Sequence, residues 1–144
     1  RIQYAQLKGI NIAENMIPLA IDEFPIIFIA AACARGQTTL HGASELRFKE
    51  SDRIAAMVEG LKRLGIYAEA FDDGALIEGG TLQGGVVESR GDHRIAMSFA
   101  IAGAVARDSV TIKNCANVAT SFPLFVDTAK ELQLQIEEIV SYVQ

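Results

Sequence analysis

The sequence has no tryptophan, two cysteines, two histidines and three prolines among its 144 residues. Cys33 and Cys115 stand alone, so neither a disulfide framework nor a Cys/His metal site is spaced for, with only His41 and His93 to help. Two isolated thiols read as reduced, in a cytoplasmic setting. Basic charge is also short: 13 Lys and Arg stand against 18 Asp and Glu, a net charge of −5. That excludes a general nucleic-acid surface, which needs a basic stripe, but not a local cation cluster holding a small anion. The longest apolar run, Phe24 to Ala34, is shorter than the roughly 18–20 residues of a membrane span and starts beside Asp22 and Glu23. No membrane segment or signal peptide is expected. The chain starts at Arg1 inside a strand-like pattern, which reads as an excerpt of a longer protein.

What is present is half hydrophobic and 22% charged, the composition of a folded domain. The pattern also repeats. Thr38-Thr39-Leu40-His41-Gly42 and Val110-Thr111-Ile112-Lys113-Asn114 read as equivalent strands 72 positions apart. An apolar helix precedes each, Pro25 to Arg35 and Ile95 to Arg107. A helix of mixed polarity follows each. The first, Asp52 to Leu64, presents Ile54, Met57, Val58, Leu61 and Leu64 on one face, with Ser51 as its N-cap and Gly65 past its end. The second, Pro123 to Leu134, presents Phe125, Ala129 and Leu132. Tyr67 to Phe71 and Ala75 to Glu78 flank Asp72-Asp73-Gly74 as a hairpin, and Val86 to Ser89 is a further strand. The expected fold is α/β: repeated strand-helix-strand-helix-strand-strand units, approximately 1–79 and 80–144, packed around buried helices. The helices entered by Pro25 and Ile95 should be central and covered by sheet, and the other pair partly exposed.

Three polar clusters fall at helix N-termini: Asp22-Glu23, Arg47 to Arg53, and Arg90-Gly91-Asp92-His93-Arg94. Carboxylates there serve as caps; arginines oppose the helix dipole and call for a compensating anion. Asp22 is a cap or a catalytic carboxylate, and position alone favours the cap. Lys49 to Arg53 alone reads as a solvated charge run. Gly91 to Arg94, with cations pressed against an apolar helix and glycine leaving room for backbone approach, points to an occupied site. His93 is a base or a structural residue, and position does not separate the two. His41 reads as a strand-end residue. Together, cations that hold phosphate or carboxylate and carboxylates that move protons suit chemistry on an anionic substrate. No Walker loop, dinucleotide glycine pattern or metal cage is present.

Ile17 to Pro25, Glu45 to Arg53 and Gly91 to Met97, in that order and spacing, resemble 5-enolpyruvylshikimate-3-phosphate synthase, also called 3-phosphoshikimate 1-carboxyvinyltransferase. The resemblance covers essentially the whole chain but only the C-terminal third or so of the family's length. It implies an enolpyruvyl transferase-like inside-out barrel of which two of three units are present. It also implies transfer of the enolpyruvyl group of phosphoenolpyruvate to the 5-hydroxyl of shikimate 3-phosphate, with no cofactor or metal. By similarity, Asp22 contacts the shikimate hydroxyls and accepts a proton, and Glu50 serves the methylene carbon. Lys49 lies near the reacting oxygen and phosphates, Arg53 and Arg94 clamp phosphoenolpyruvate, and His93 is accessory. Some members carry a lysine shortly before the Phe-Pro of the last helix. Thr120 and Ser121 precede Phe122-Pro123 here, which resembles a subgroup that includes glyphosate-tolerant types. Alternatives are a UDP-N-acetylglucosamine enolpyruvyltransferase-like enzyme, or a non-catalytic anion-binding fragment. The isolated chain is expected to be inactive without the remaining N-terminal portion.

Overall fold

A computed structural model of the chain describes residue 1 and residues 3–139. The opening segment makes only single parallel bridges, Lys8 to Arg35 and Asn11 to Thr39, where a strand was expected. A helical run follows: a 3-10 turn Glu14–Met16, α1 Ile17–Ala20, a 3-10 turn Ile21–Glu23 and α2 Phe24–Ala32. Pro18 and Pro25 lie in the first turns of α1 and α2, where a missing N–H breaks no helical bond. The whole run, Glu14–Ala32, is 19 residues long and by length and composition alone could cross a membrane. Its 3-10 interruptions and the burial of Phe24, Phe28, Ile29 and Ala32 give it the character of a core helix.

The remaining elements are β1 Gln37–Leu40, a 3-10 turn Ser44–Phe48, α3 Arg53–Arg63, β2 Ala68–Phe71, β3 Gly74–Glu78, β4 Gly85–Glu88, α4 His93–Gly103, β5 Val110–Lys113, α5 Val118–Ser121 and α6 Phe125–Glu131. From β1 onward the order agrees with the alternation read from the sequence up to β5, after which two short helices, α5 and α6, replace the single helix expected over 123–134. β1, β3 and β2 form an antiparallel sheet in that order, with Thr39 opposite Leu76 and Glu69 opposite Leu76 on the other side. β4 and β5 pair in parallel, with Val87 opposite Ile112.

Two local details differ from expectation. α3 is capped by Asp52, whose side chain accepts from the Ala55 N–H, not by Ser51. The β2–β3 hairpin forms, but Gly74 is not there for its turn conformation. A Cβ at Gly74 would overlap the Leu40 carbonyl, so close approach of β3 to β1 excludes a side chain.

The burial of the helices also departs from expectation. α3, expected to be partly exposed, buries Arg53, Ile54, Ala56, Met57, Val58, Gly60 and Leu61. It packs against β2, β3 and β4 as well as α2 and α4. The apolar α2 and α4 pack on each other but keep an open flank, where Ala30, Ile101 and Val105 are exposed. A Cβ on Gly60 would overlap the ring of fully buried Phe99, so α3 and α4 meet at backbone distance. Gly60→Ala in the full-length protein is expected to lose about 1–3 kcal/mol of stability by overpacking. Urea unfolding measures this, and an unchanged midpoint would remove the close approach from the account.

Candidate active site

The three charged clusters meet where α2, α3 and α4 begin. Arg53, the first residue of α3, lies at the centre with only 1% of its side chain exposed. Its Nε donates to Asp92 Oδ2 at 2.9 Å, its Nη1 to Asp22 Oδ1 at 3.0 Å, and its Nη2 to Glu50 Oε2. Lys49 Nζ donates to Glu45 Oε1 and stands 3.8 Å from Asp22 Oδ1. Arg94 Nη1 donates to the Asp22 backbone carbonyl at 3.1 Å and to Glu23 Oε1 at 3.2 Å. Asp22 therefore touches all three cations, two by its carboxylate and one by its main chain. The structure brings Asp22, Lys49, Glu50, Arg53 and Arg94 together. His93 begins α4 beside them and is half-buried, and among the described residues no hydrogen bond ties its ring to the cluster. His41 lies outside the cluster. It stacks on Phe71 at 5.0 Å and contacts Asp73.

The compensating anions that the sequence reading sought in a ligand are, in the structure, the protein's own carboxylates. Arg53 is closed by three of them and Arg94 by Glu23. The sequence motif contained Asp92, yet its role was missed. This side chain is fully buried and caps α4, with Oδ1 accepting from the Arg94 N–H at 2.9 Å. The local cap pattern was legible; the partner, 39 residues away, was not. Glu23 was missed as a partner of Arg94, 71 positions away, for the same reason, whereas Glu45 pairs with Lys49 only four positions on and was within reach of a local rule. Gly91 is also explained differently. A Cβ there would meet only Asn117 Nδ2, at 3.5 Å, so space is not the constraint. Its φ of +73°, following Arg90 at +56°, is what favours glycine. Asn117 Nδ2 donates to the Gly91 carbonyl and fixes this turn ahead of Asp92.

Partial burial pushes the Asp22 carboxyl up, but the Arg53 hydrogen bond and the charges of Arg94, Lys49 and Arg53 outweigh it. Asp22 therefore sits below the ordinary aspartate value of 3.8 and is ionised at neutral pH. The Glu45 hydrogen bond is the largest influence on Lys49 and raises it, so Lys49 stays charged. Burial pulls Arg53 down, and Asp92, Glu50 and Asp22 more than restore it. Because Asp22 is depressed in the folded state, its stabilising contribution is complete above the unfolded value and is lost as pH falls through the folded one. Stability measured by urea unfolding should therefore fall more steeply below about pH 4 in the wild type than in Asp22→Asn. Parallel curves would contradict this electrostatic reading.

A groove of about 140 Å³ opens beside the cluster, with Asp22, Glu23 and Arg94 at its polar end and Ile26, Met97 and Ile101 along its apolar wall. Among the described residues, no group of His, Cys, Asp and Glu side chains is arranged to hold a metal ion. α5 carries Thr120 and Ser121, so no cation stands at that position.

A mixed α/β scaffold thus gathers carboxylates and cations at its helix starts. The chain belongs to the EPSP synthase family, whose model, described as EPSP synthase (3-phosphoshikimate 1-carboxyvinyltransferase), matches residues 1–129. Among its relatives, the 3-phosphoshikimate 1-carboxyvinyltransferase of Legionella pneumophila strain Paris is 76% identical over 137 residues, 95% of this chain and 32% of the relative. That of Methylococcus capsulatus strain Bath is 61% identical over 95% of this chain and 31% of the relative. A solved EPSP synthase structure from Acinetobacter baumannii superposes with a TM-score of 0.89 at 52% identity, covering 92% of this chain and 32% of that one. The chain thus spans about a third of the length of the relatives it matches.

Proposed function

We propose that the full-length protein carrying this segment transfers the enolpyruvyl group of phosphoenolpyruvate to the 5-hydroxyl of shikimate 3-phosphate and releases phosphate. The observation that carries this reading is Arg53, flanked by Asp22 and Glu50 and placed beside Lys49 and Arg94, within a segment that matches the family over residues 1–129. The chemistry makes two demands of such a cluster. In the addition step the 5-hydroxyl oxygen bonds to C2 of phosphoenolpyruvate, its proton passes to a base, and a proton adds to the methylene carbon C3. In the elimination step the C2–phosphate oxygen bond breaks, C3 returns a proton, and phosphate leaves. The atoms balance with no other reactant.

Asp22, held ionised by three cations, can accept a hydrogen bond from the hydroxyl and orient it, and the family resemblance assigns it the proton as well. Glu50 is suited to serve C3, its side chain being half exposed at the mouth of the cluster. Lys49 and Arg94 remain partly open to solvent and can meet phosphate and carboxylate oxygens, while Arg53 is reached when a substrate anion displaces one of its carboxylates. His93 is assigned an accessory place at the cluster's edge. The two units, approximately 1–79 and 80–144, form part of one domain, and the open flank of α2 and α4 is where a third unit from the rest of the protein packs. The isolated chain is assigned no activity, because the remaining portion supplies the other substrate contacts. The full-length protein is placed in the cytoplasm.

The test is phosphate release from phosphoenolpyruvate by the full-length protein, with and without shikimate 3-phosphate. Release that requires shikimate 3-phosphate supports the reading. Release that instead requires UDP-N-acetylglucosamine, or no release by protein shown to be folded, overturns it.

A further inference from the structure

We infer that Asp92 is a positioning residue that seats Arg53 and the backbone of Arg94 in one fixed relation, acting through the two arginines and not on substrate. Four donors converge on this buried carboxylate. Oδ1 takes the N–H groups of Arg94 at 2.9 Å and Ile95 at 3.4 Å. Oδ2 takes Arg53 Nε at 2.9 Å and Ser51 Oγ at 3.1 Å. One oxygen therefore starts α4, while the other orients the guanidinium at the start of α3. The bond crosses from the first unit to the second, so the separation of the two arginines is set by one side chain. Nothing in the proton transfers proposed above uses Asp92, yet it lies behind the cation that would hold phosphoenolpyruvate. The inference rests on that proposed activity.

The donor pattern tells the two duties apart. An amide has one acceptor oxygen and one donor nitrogen. At the Oδ1 position both partners are main-chain N–H groups, so a nitrogen is excluded there. At the Oδ2 position the Ser51 hydroxyl can turn to accept, but Arg53 Nε cannot. Asp92→Asn therefore keeps the cap on α4, where Asn is as good as Asp, and removes only the seat of Arg53. Asp92→Ala loses both.

The experiment compares wild-type, Asp92→Asn and Arg53→Lys full-length enzyme by steady-state kinetics, thermal unfolding and the NMR signal of the Arg53 Nε–H group. Asp92→Asn is expected to raise the KM for phosphoenolpyruvate about 10–100-fold, the range of a lost charge-assisted hydrogen bond, with the KM for shikimate 3-phosphate within about 3-fold. The Arg53 Nε–H signal should shift and exchange faster with solvent. Arg53→Lys, which keeps the charge without the fixed fork, should give the same split between the two KM values, and adding Asp92→Asn to it should change KM no more than about 3-fold. Equal rises in both KM values, or full additivity of the two substitutions, would overturn the inference in favour of a purely structural role. So would an unmoved Arg53 signal. If Asp92→Asn does not fold, Asp92→Glu, which keeps the charge but moves it by one methylene, decides by the same KM split and Arg53 signal. If the wild type releases no phosphate in response to shikimate 3-phosphate, the activity reading fails, and the Arg53 signal still decides whether Asp92 seats the arginine.

Discussion

Arg53→Met in the full-length enzyme is expected to lose about 3–5 kcal/mol of unfolding free energy, the range for breaking a buried ion pair from one side. Methionine fills much of the arginine's stem volume, so packing is not what fails. The loss comes from charge. Asp92 is fully buried and Asp22 and Glu50 turn toward the same point, so three carboxylates would converge with their shared cation gone. Arg53 bonds join α3 to the turn before α2 and to the start of α4, so all three helix starts loosen together. Urea unfolding of the wild type and variant gives the number. A difference under about 1 kcal/mol would show that the pairs are worth no more than surface ion pairs.

Glu50→Gln is expected to lower kcat by about 10²–10⁴, the usual range for a lost general acid or base. Stability should change little, because the amide oxygen can still accept from Arg53 Nη2 and the side chain is half exposed. The KM for phosphoenolpyruvate should move far less than kcat, since a neutral residue over Arg53 still leaves the arginine charged. Stopped assays that count phosphate at saturating substrates measure kcat directly. A kcat within a few-fold of the wild type would remove Glu50 from the proton path.

The elements were legible where local pattern decides them. The face of α3 formed by Ile54, Met57, Val58, Leu61 and Leu64 is buried as its spacing indicated, and Gly65, at φ +82°, ends that helix as expected. The hairpin between Phe71 and Gly74 was legible for the same reason. Helix exposure was not. The sequence of α2 is apolar on every side although part of it is open in this segment, and α3 is enclosed by β2, β3 and β4, which lie after it in the chain. At the site, residue identities were visible because charged residues at helix starts are conspicuous. Their pairing was not, because Arg53 reaches partners 31 and 39 positions away, and no local rule connects these. The cap on α3 shows the same limit at short range. Ser51 and Asp52 are both good caps, and Ser51 instead turns its hydroxyl to Asp92.

The cluster at the helix starts is lopsided in charge. Asp22, Glu23, Glu45, Glu50 and Asp92 face Lys49, Arg53 and Arg94, five acidic groups to three basic ones. Left to itself, this surface repels the doubly and triply charged phosphates it is proposed to serve. On the proposed activity, a surplus of positive charge is expected in the rest of the full-length protein, and the approach of the two parts would then be an attraction between opposite fields. Added salt, which screens such fields over about 10 Å at 0.1 M, should slow that approach and weaken capture of the substrate together.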